Sequence, residues 1–250
     1  MSTEIGHNIL RFTTLESTNK YVLGSLEKEN FAAGTVVLAG FQEAGKGLGK
    51  NHWESEAGKN LLLSIILKPA FLEPQYQFYL NKFASLGVYD FIRSLLPDKK
   101  VTVKWPNDVY IDDGKVAGIL INNTLIGKHF EYAVAGIGIN LNQKAFRSDA
   151  PNPVSINHYT KRDLDLEKSL HDLLECLNKR FKQLEQGREE YLDRDYLAAL
   201  YRHRQWSEFI SAKERFKGMI TGISEFGQLR IEHHKGTLLE FDFKEVEFII

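Results

Sequence analysis

Four short segments of the chain carry side chains that could do chemistry. Gly40-Phe-Gln-Glu-Ala-Gly45-Lys46-Gly47 follows an apolar, β-branched stretch and nearly spells a phosphate-binding loop. The last position of such a loop is Ser or Thr, to hold magnesium, and a helix follows. Here the position is Gly47, and Leu48-Gly49-Lys50-Asn51-His52 starts no helix, so a P-loop is not expected. Glycines with Lys46 and Lys50 could still form an anion nest; a solvated hairpin loop fits the composition equally. Lys104-Trp105-Pro106-Asn107-Asp108 is the second segment. Pro106 lacks an N–H and interrupts a strand, so the backbone must bend and present Asn107 and Asp108. Asp108 could bind a hard cation such as Mg2+ or accept a proton. Third, Lys115 opens the apolar run Val116-Ala117-Gly118-Ile119-Leu120-Ile121, as a reactive cation or a solvated strand end. Fourth, Gly136-Ile137-Gly138-Ile139-Asn140 ends another strand; paired glycines there mark a close approach by a ligand or backbone, or a plain bulge.

Elements with clear periodicity must position these groups. Ile9 to Thr13, Thr35 to Gly40 and Asn60 to Leu67 read as strands, and Ser17 or Thr18 caps a short helix over Lys20 to Leu26. Residues 75 to 96 read as a long helix, with Leu80, Phe83, Gly87, Phe91 and Leu95 on one side. Val101 to Trp105, Val109 to Ile111, Lys115 to Ile121 and His129 to Asn140 follow as strands of a mostly antiparallel sheet, with a hairpin turn at Asp112-Asp113-Gly114. Asp163 to Gln186 and Glu189 to Arg202 read as helices. From Glu214 onward, short strands punctuated by Gly222, Gly227 and Gly236 suggest a small SH3-like barrel. The expected division is therefore 1–212 and 213–250.

Composition narrows the class. The 250 residues, 43% hydrophobic and 26% charged, suit a globular protein with a sizeable core. A net charge of −1 gives no broad cationic field for a nucleic-acid backbone. The single cysteine, Cys176, excludes an internal disulfide and reads as a reduced thiol in a cytoplasmic protein. The longest apolar run, Leu61 to Leu67, is far short of the roughly twenty residues that cross a membrane. The histidines show no metal-ligand spacing, and the side chains of His233 and His234 are expected on opposite faces of a strand.

Taken together, Ser17-Thr18-Asn19, Gln42 with Gly45-Lys46-Gly47 and Trp53, the Lys104 to Asp108 string, Lys115-Val-Ala-Gly118-Ile-Leu and Gly136-Ile-Gly-Ile-Asn140 resemble the biotin protein ligases, in that family's order and spacing. The resemblance implies an α+β fold: a mixed or antiparallel sheet flanked by helices, of the class II synthetase-like kind, plus the SH3-like tail. It implies ATP-dependent activation of biotin to biotinyl-5′-AMP, with Mg2+, and transfer to one lysine of a biotin carboxyl carrier domain of a carboxylase. It places Ser17, Thr18, Asn19, Gln42, Lys46, Gly47, Leu48, Lys115, Gly118 and Gly136 around biotin. Around the nucleotide it places Gly45, Lys46, Lys50, Trp53, Lys104 and Lys115, with Asn140 toward the adenine end. Lys115, Asp108 and Asn107 take the catalytic positions, and Asp108 the metal.

The family loop usually reads Gly-Arg-Gly-Arg-x-Gly-Arg-x-Trp. Here Lys46 and Leu48 replace the first two arginines, and looser retention of the adenylate is expected; Lys50 is the nearest replacement cation. Lys244-Glu245-Val246 stands where the family often has Gly-Glu-Val. Family members that are also repressors carry an N-terminal DNA-binding domain, whereas the ligase pattern here begins near residue 9, so a ligase without nucleic-acid or membrane partners is expected. Relatives often pair through a sheet edge, which leaves a homodimer open. Two rivals remain: a lipoate or octanoate ligase or transferase, which shares the fold, and a non-catalytic sensor of biotin or its adenylate.

Overall fold

A computed structural model describes residues 3–26, 28–49, 51–148 and 152–249. The chain runs β1 (Ile9–Leu15), α1 (Thr18–Ser25), β2 (Val36–Gln42), β3 (Leu61–Leu67), α2 (Phe78–Leu95), β4 (Val101–Lys104), β5 (Asp108–Ile111), β6 (Gly114–Ile126) and β7 (His129–Ile139). Then come α3 (Asn157–Thr160), α4 (Leu166–Glu185), α5 (Glu189–Ala199), β8 (Trp206–Ser211), β9 (Glu214–Ile223), β10 (Leu229–His233), β11 (Leu238–Phe241) and β12 (Glu247–Phe248). Strands β1 to β7 form one sheet in the order β1-β2-β3-β7-β6-β5-β4, in which β1 and β2 are parallel and the other pairs antiparallel. Five antiparallel strands form the second, SH3-like sheet in the order β11-β10-β9-β8-β12.

Residue period decides which face of the large sheet does what. Along β3, Leu61, Leu63, Ile65 and Leu67 alternate into the core shared with α2 and α4. Along β7, Ala133, Ala135, Ile137 and Ile139 do the same. The stripe Leu170, Leu173, Leu174, Leu177, Phe181 and Leu184 of α4 is buried against them. Truncating a leucine in such a core costs about 2–5 kcal/mol, so this layer anchors the sheet that carries the opposite face. On that opposite face α1 buries Val22 in a smaller cluster with Phe31, Val37, Ile66 and Val134.

Several elements differ from expectation for identifiable reasons. The second sheet begins at Trp206, ahead of the expected boundary at 213, because in β8 Phe209 alone is buried and alternation barely registers in its sequence. Gly222 lies inside β9 instead of ending it; a Cβ there would meet only Leu197, at 3.9 Å. The long helix starts at Phe78, after a separate turn over Pro74–Tyr76. The His233 and His234 rings lie 4.3 Å apart, because β10 ends at His233 and strand alternation stops there. Among the described residues no helix is long and apolar enough to cross a membrane.

Candidate active site

The glycines of β6 and β7 make the site. Gly136 pairs with Leu120, and Gly138 with Gly118. Period two puts Gly136 and Gly138 on the face away from α2. A Cβ on Gly136 would lie 2.5 Å from Asn19 Oδ1, and one on Gly138 2.6 Å from Trp53 Cε2. The close approach read from the sequence is thus made by two side chains, Asn19 and Trp53, which lie directly on the sheet. Between and above them is a cavity of about 320 Å³.

At one end the helix cap and Gln42 form a neutral polar wall. Ser17 caps α1, and its neighbours Thr18 and Asn19 are buried in the first turn. Gln42 Oε1 accepts from the Thr18 backbone N–H at 2.7 Å and from the Thr18 hydroxyl at 3.0 Å. That leaves the Gln42 amide nitrogen without a protein partner among the described residues. The Ser64 hydroxyl lies 2.8 Å from Thr18 Oγ1 and 2.5 Å from Asn19 Oδ1, and its single proton serves one of them. Asn19 donates to Leu120 O at 3.0 Å and to Asn122 Oδ1 at 3.2 Å. Every orientation is thus set by protein contacts before a ligand arrives.

The other end is ionic. Lys104-Trp-Pro-Asn-Asp108 is a hairpin turn between edge strand β4 and β5, with Lys104 paired to Asp108 across it. Asn107 donates to Ile119 O at 2.5 Å and accepts from Ile119 N–H at 2.9 Å through its own carbonyl, which fastens the turn to β6. Asp108 is thereby brought to Lys115, 2.7 Å away, with side chains 17% and 26% exposed. Lys115 in turn is held through its backbone by Asn152 O and Val154 N–H. Its ammonium stands 5.8 Å from the Trp53 ring centre. Burial pushes the Lys104 pKa down; Asp108 offsets this in part, and Lys115 and Arg202 add to it. Among the described residues the Trp53 indole N–H is buried with no partner, against the backbone at Gly138.

Most of the expected residues meet here. Ser17, Thr18, Asn19, Gln42, Gly118 and Gly136 line the cavity, and so do Lys46, Gly47, Leu48, Trp53, Lys104, Asn107, Asp108 and Lys115. Gly45 is buried beside it, where a Cβ would meet Trp53 O at 2.7 Å. Lys50 lies outside the described residues. Asn140 does not line the cavity: it is 3% exposed, its amide N–H donates to Val154 O at 3.1 Å, its backbone bonds to Val116 and Ile156, and its Oδ1 has no partner among the described residues. It braces the segment that holds Lys115. The glycine loop is a hairpin, not an open nest, since Gly47 N–H goes to Asn51 O and Trp53 N–H to Gly45 O. Sequence reading missed four cavity residues from the second sheet: Lys244, Val246, Glu247 and Phe248. Only the Lys244 departure signalled them.

The donor set suits Mg2+ in one way only. Among the described residues the single cluster of three ligating side chains is His171, Asp172 and Glu175 on α4, none of which lines the cavity. Asp108 is one carboxylate beside several lysines. Magnesium is commonly held by one or two carboxylates plus substrate phosphates, so Asp108 fits an ion that arrives with a nucleotide.

Known proteins resemble this chain in sequence and in fold. The biotin/lipoate A/B protein ligase family matches residues 11–140. The bifunctional ligase/repressor BirA of Escherichia coli is 31% identical over 236 residues, covering 91% of this chain and 70% of that protein. The biotin–[acetyl-CoA-carboxylase] ligase of Paracoccus denitrificans is 36% identical over 146 residues, 55% of this chain and 58% of that one. Among solved structures, a biotin protein ligase from Aquifex aeolicus in complex with biotin and ATP superposes with a TM-score of 0.80 at 22% identity, covering 96% of this chain and 98% of that one. With its family match spanning more than half the sequence and carrying the glycine loop, the Asp108 turn and Lys115 together, this chain belongs to the biotin/lipoate A/B protein ligase family.

Proposed function

We propose that the protein is a biotin–protein ligase that activates biotin with ATP and passes it to a lysine of a biotin carboxyl carrier domain of a carboxylase. The observation that carries this reading is the polarity of one cavity. A neutral hydrogen-bonding end at Gly136 and a cationic end at Gly118 and Gly138 lie two residues of strand apart, about 7 Å. Biotin has a cyclic urea at one end and a carboxylate at the other, joined by a short alkyl chain. The urea carbonyl accepts from donors such as the Gln42 amide, and its N–H groups donate to hydroxyl and amide oxygens. Lipoate has no such head. A dithiolane would leave the Gln42 amide and its neighbours unpaired, at about 1–3 kcal/mol for each buried group.

In the first step a biotin carboxylate oxygen attacks the α-phosphorus of ATP, the Pα–O bond to the β-phosphate breaks, and pyrophosphate leaves. Two anions must meet, so cations are required; at about 4 Å a pair of unit charges interacts by roughly 4 kcal/mol near a protein surface. Lys115 and Lys46 stand in the cavity to offset that repulsion and the charge that develops. Mg2+, when bound with the nucleotide, neutralises phosphate charge beside Asp108. In the second step the acceptor lysine nitrogen attacks the acyl carbon, the C–O bond to AMP breaks, and AMP leaves. The amine loses a proton, and we assign Asp108 as its acceptor, on the carboxylate oxygen that Lys115 does not engage.

A second copy of the chain as a partner, through a free sheet edge such as β1, belongs to this reading. So does the absence of nucleic acid from the reaction, which rests on the near-neutral charge. The test mixes protein, ATP, Mg2+, a carrier domain, and labelled biotin or lipoate. Label from biotin on the carrier lysine is the expected result; label from lipoate alone, or none, overturns the reading.

A further inference from the structure

Lys244 is the residue of the cavity that least resembles a structural accident. It belongs to the turn between β11 and β12, where Glu245 N–H bonds to Asp242 O at 3.1 Å and the Glu245 carboxylate accepts from Asp242 N–H at 2.8 Å. Its φ is +72°, a left-handed conformation that glycine adopts freely and lysine does not. The adjacent Phe243 packs on Trp105 at 5.3 Å and on Phe78 at 6.1 Å, so the turn is docked against the large sheet and α2. From that fixed base the Lys244 side chain crosses from the second sheet to the glycine loop. A Cβ at Gly49 would overlap the Lys244 ammonium nitrogen and lie 2.7 Å from its Cε. Among the described residues Lys244 makes no ion pair. Lys244 is exposed, and it lines the cavity together with Leu48, an apolar residue in a wall otherwise rich in lysine.

We propose that Lys244 is a phosphate-binding residue of the ligase site, which supplies across the sheet junction a cation that the loop does not carry at Leu48. It binds the triphosphate of ATP and then holds the α-phosphate of the adenylate until the carrier lysine arrives. The second sheet is then a working part of the active site, and the bare Gly49 is the gap through which the lysine reaches. The inference rests on the reading of the protein as a biotin ligase that uses ATP.

The experiment uses the full chain with K244G, K244R, and K244G combined with L48R. Glycine at 244 relieves the left-handed backbone, so K244G should melt no lower than the wild type. Biotin-dependent pyrophosphate release gives the KM for ATP, and filtration of the enzyme during turnover gives free biotinyl-adenylate. K244G is expected to raise the ATP KM roughly tenfold or more, the size of a lost charge-assisted contact, and to increase adenylate escape, while biotin affinity without ATP stays within about twofold. K244R should keep most of the function, and L48R should restore adenylate retention in K244G. Unchanged ATP KM and adenylate release in an active K244G overturn the proposal alone. A wild-type protein that releases no pyrophosphate with biotin overturns the ligase reading and the proposal with it.

Discussion

The two ends of the cavity are built on different principles. The head end consists of neutral polar side chains: Thr18, Asn19, Gln42 and Ser64 form one network with bonds of 2.5–3.0 Å, beside the cap residue Ser17. The ionic end consists of long side chains brought in from the glycine loop, the Asp108 hairpin, β6 and the second sheet. A network bonded to itself is rigid and discriminates by what it leaves unpaired. A group of flexible cations acts through charge, tolerates different geometries, and is set partly by pH. Recognition and chemistry are therefore separable in this molecule, and perturbations at one end should leave the other largely intact.

The largest expected effect comes from Lys115→Met. It removes the cation nearest Asp108, and biotin-dependent pyrophosphate exchange should fall by about 10³-fold or more, the size of a lost transition-state contact. Biotin binding measured without ATP should weaken by less than about tenfold; an equal loss in both would break the separation. Next, Asp108→Asn should slow transfer to the carrier by roughly 10²-fold, as for other general bases, and slow adenylate formation far less. Single-turnover kinetics on each half-reaction would decide it, and equal losses would remove Asp108 from the proton-acceptor role.

A change at the head end should show the opposite pattern. Gly136→Ala pushes a methyl into the Asn19 amide. It should weaken biotin roughly tenfold or more, since overpacking of this kind costs about 1–3 kcal/mol. ATP-analogue binding measured alone should remain within twofold, and calorimetric titration of each ligand would reveal a leak between the ends. The smallest effect concerns pH. Burial already lowers the Lys104 pKa, so in the free protein this lysine loses its proton below the ordinary lysine range. A bound phosphate favours the charged form and raises that pKa, so binding takes up a proton. ATP affinity should therefore fall a few-fold as pH rises through the depressed value, while biotin binding alone stays flat. Calorimetry in two buffers of different ionisation heat would register the proton uptake, and K104M should abolish it.

The parts of this site that were legible in the sequence are local. Gly136 and Gly138 show period two within one strand, Ser17 precedes a helical stretch, and Pro106 breaks a strand beside Asp108. Each is a pattern over a few residues, and backbone stereochemistry turns such patterns into turns, caps and faces. The surroundings of Asn140 were not legible, for a related reason. Its place at a strand end was right, but whether its amide meets solvent or the segment at Val154 depends on how residues 152–156 return beneath β6.

The amino-acid sequence by itself determined most strands and helices of the large sheet and its covering layer, the polar head and cation-bearing segments, and the family to which the chain belongs, but not α3 or β8. Tertiary structure alone decided which of those segments face each other. The approach of Lys244 to Gly49 joins residues 195 positions apart in the sequence, and no period or propensity encodes it. It depends on how the turn at Phe243 packs against Trp105 and Phe78, a contact between two sheets whose relative placement is set by buried area and shape complementarity rather than by local rules.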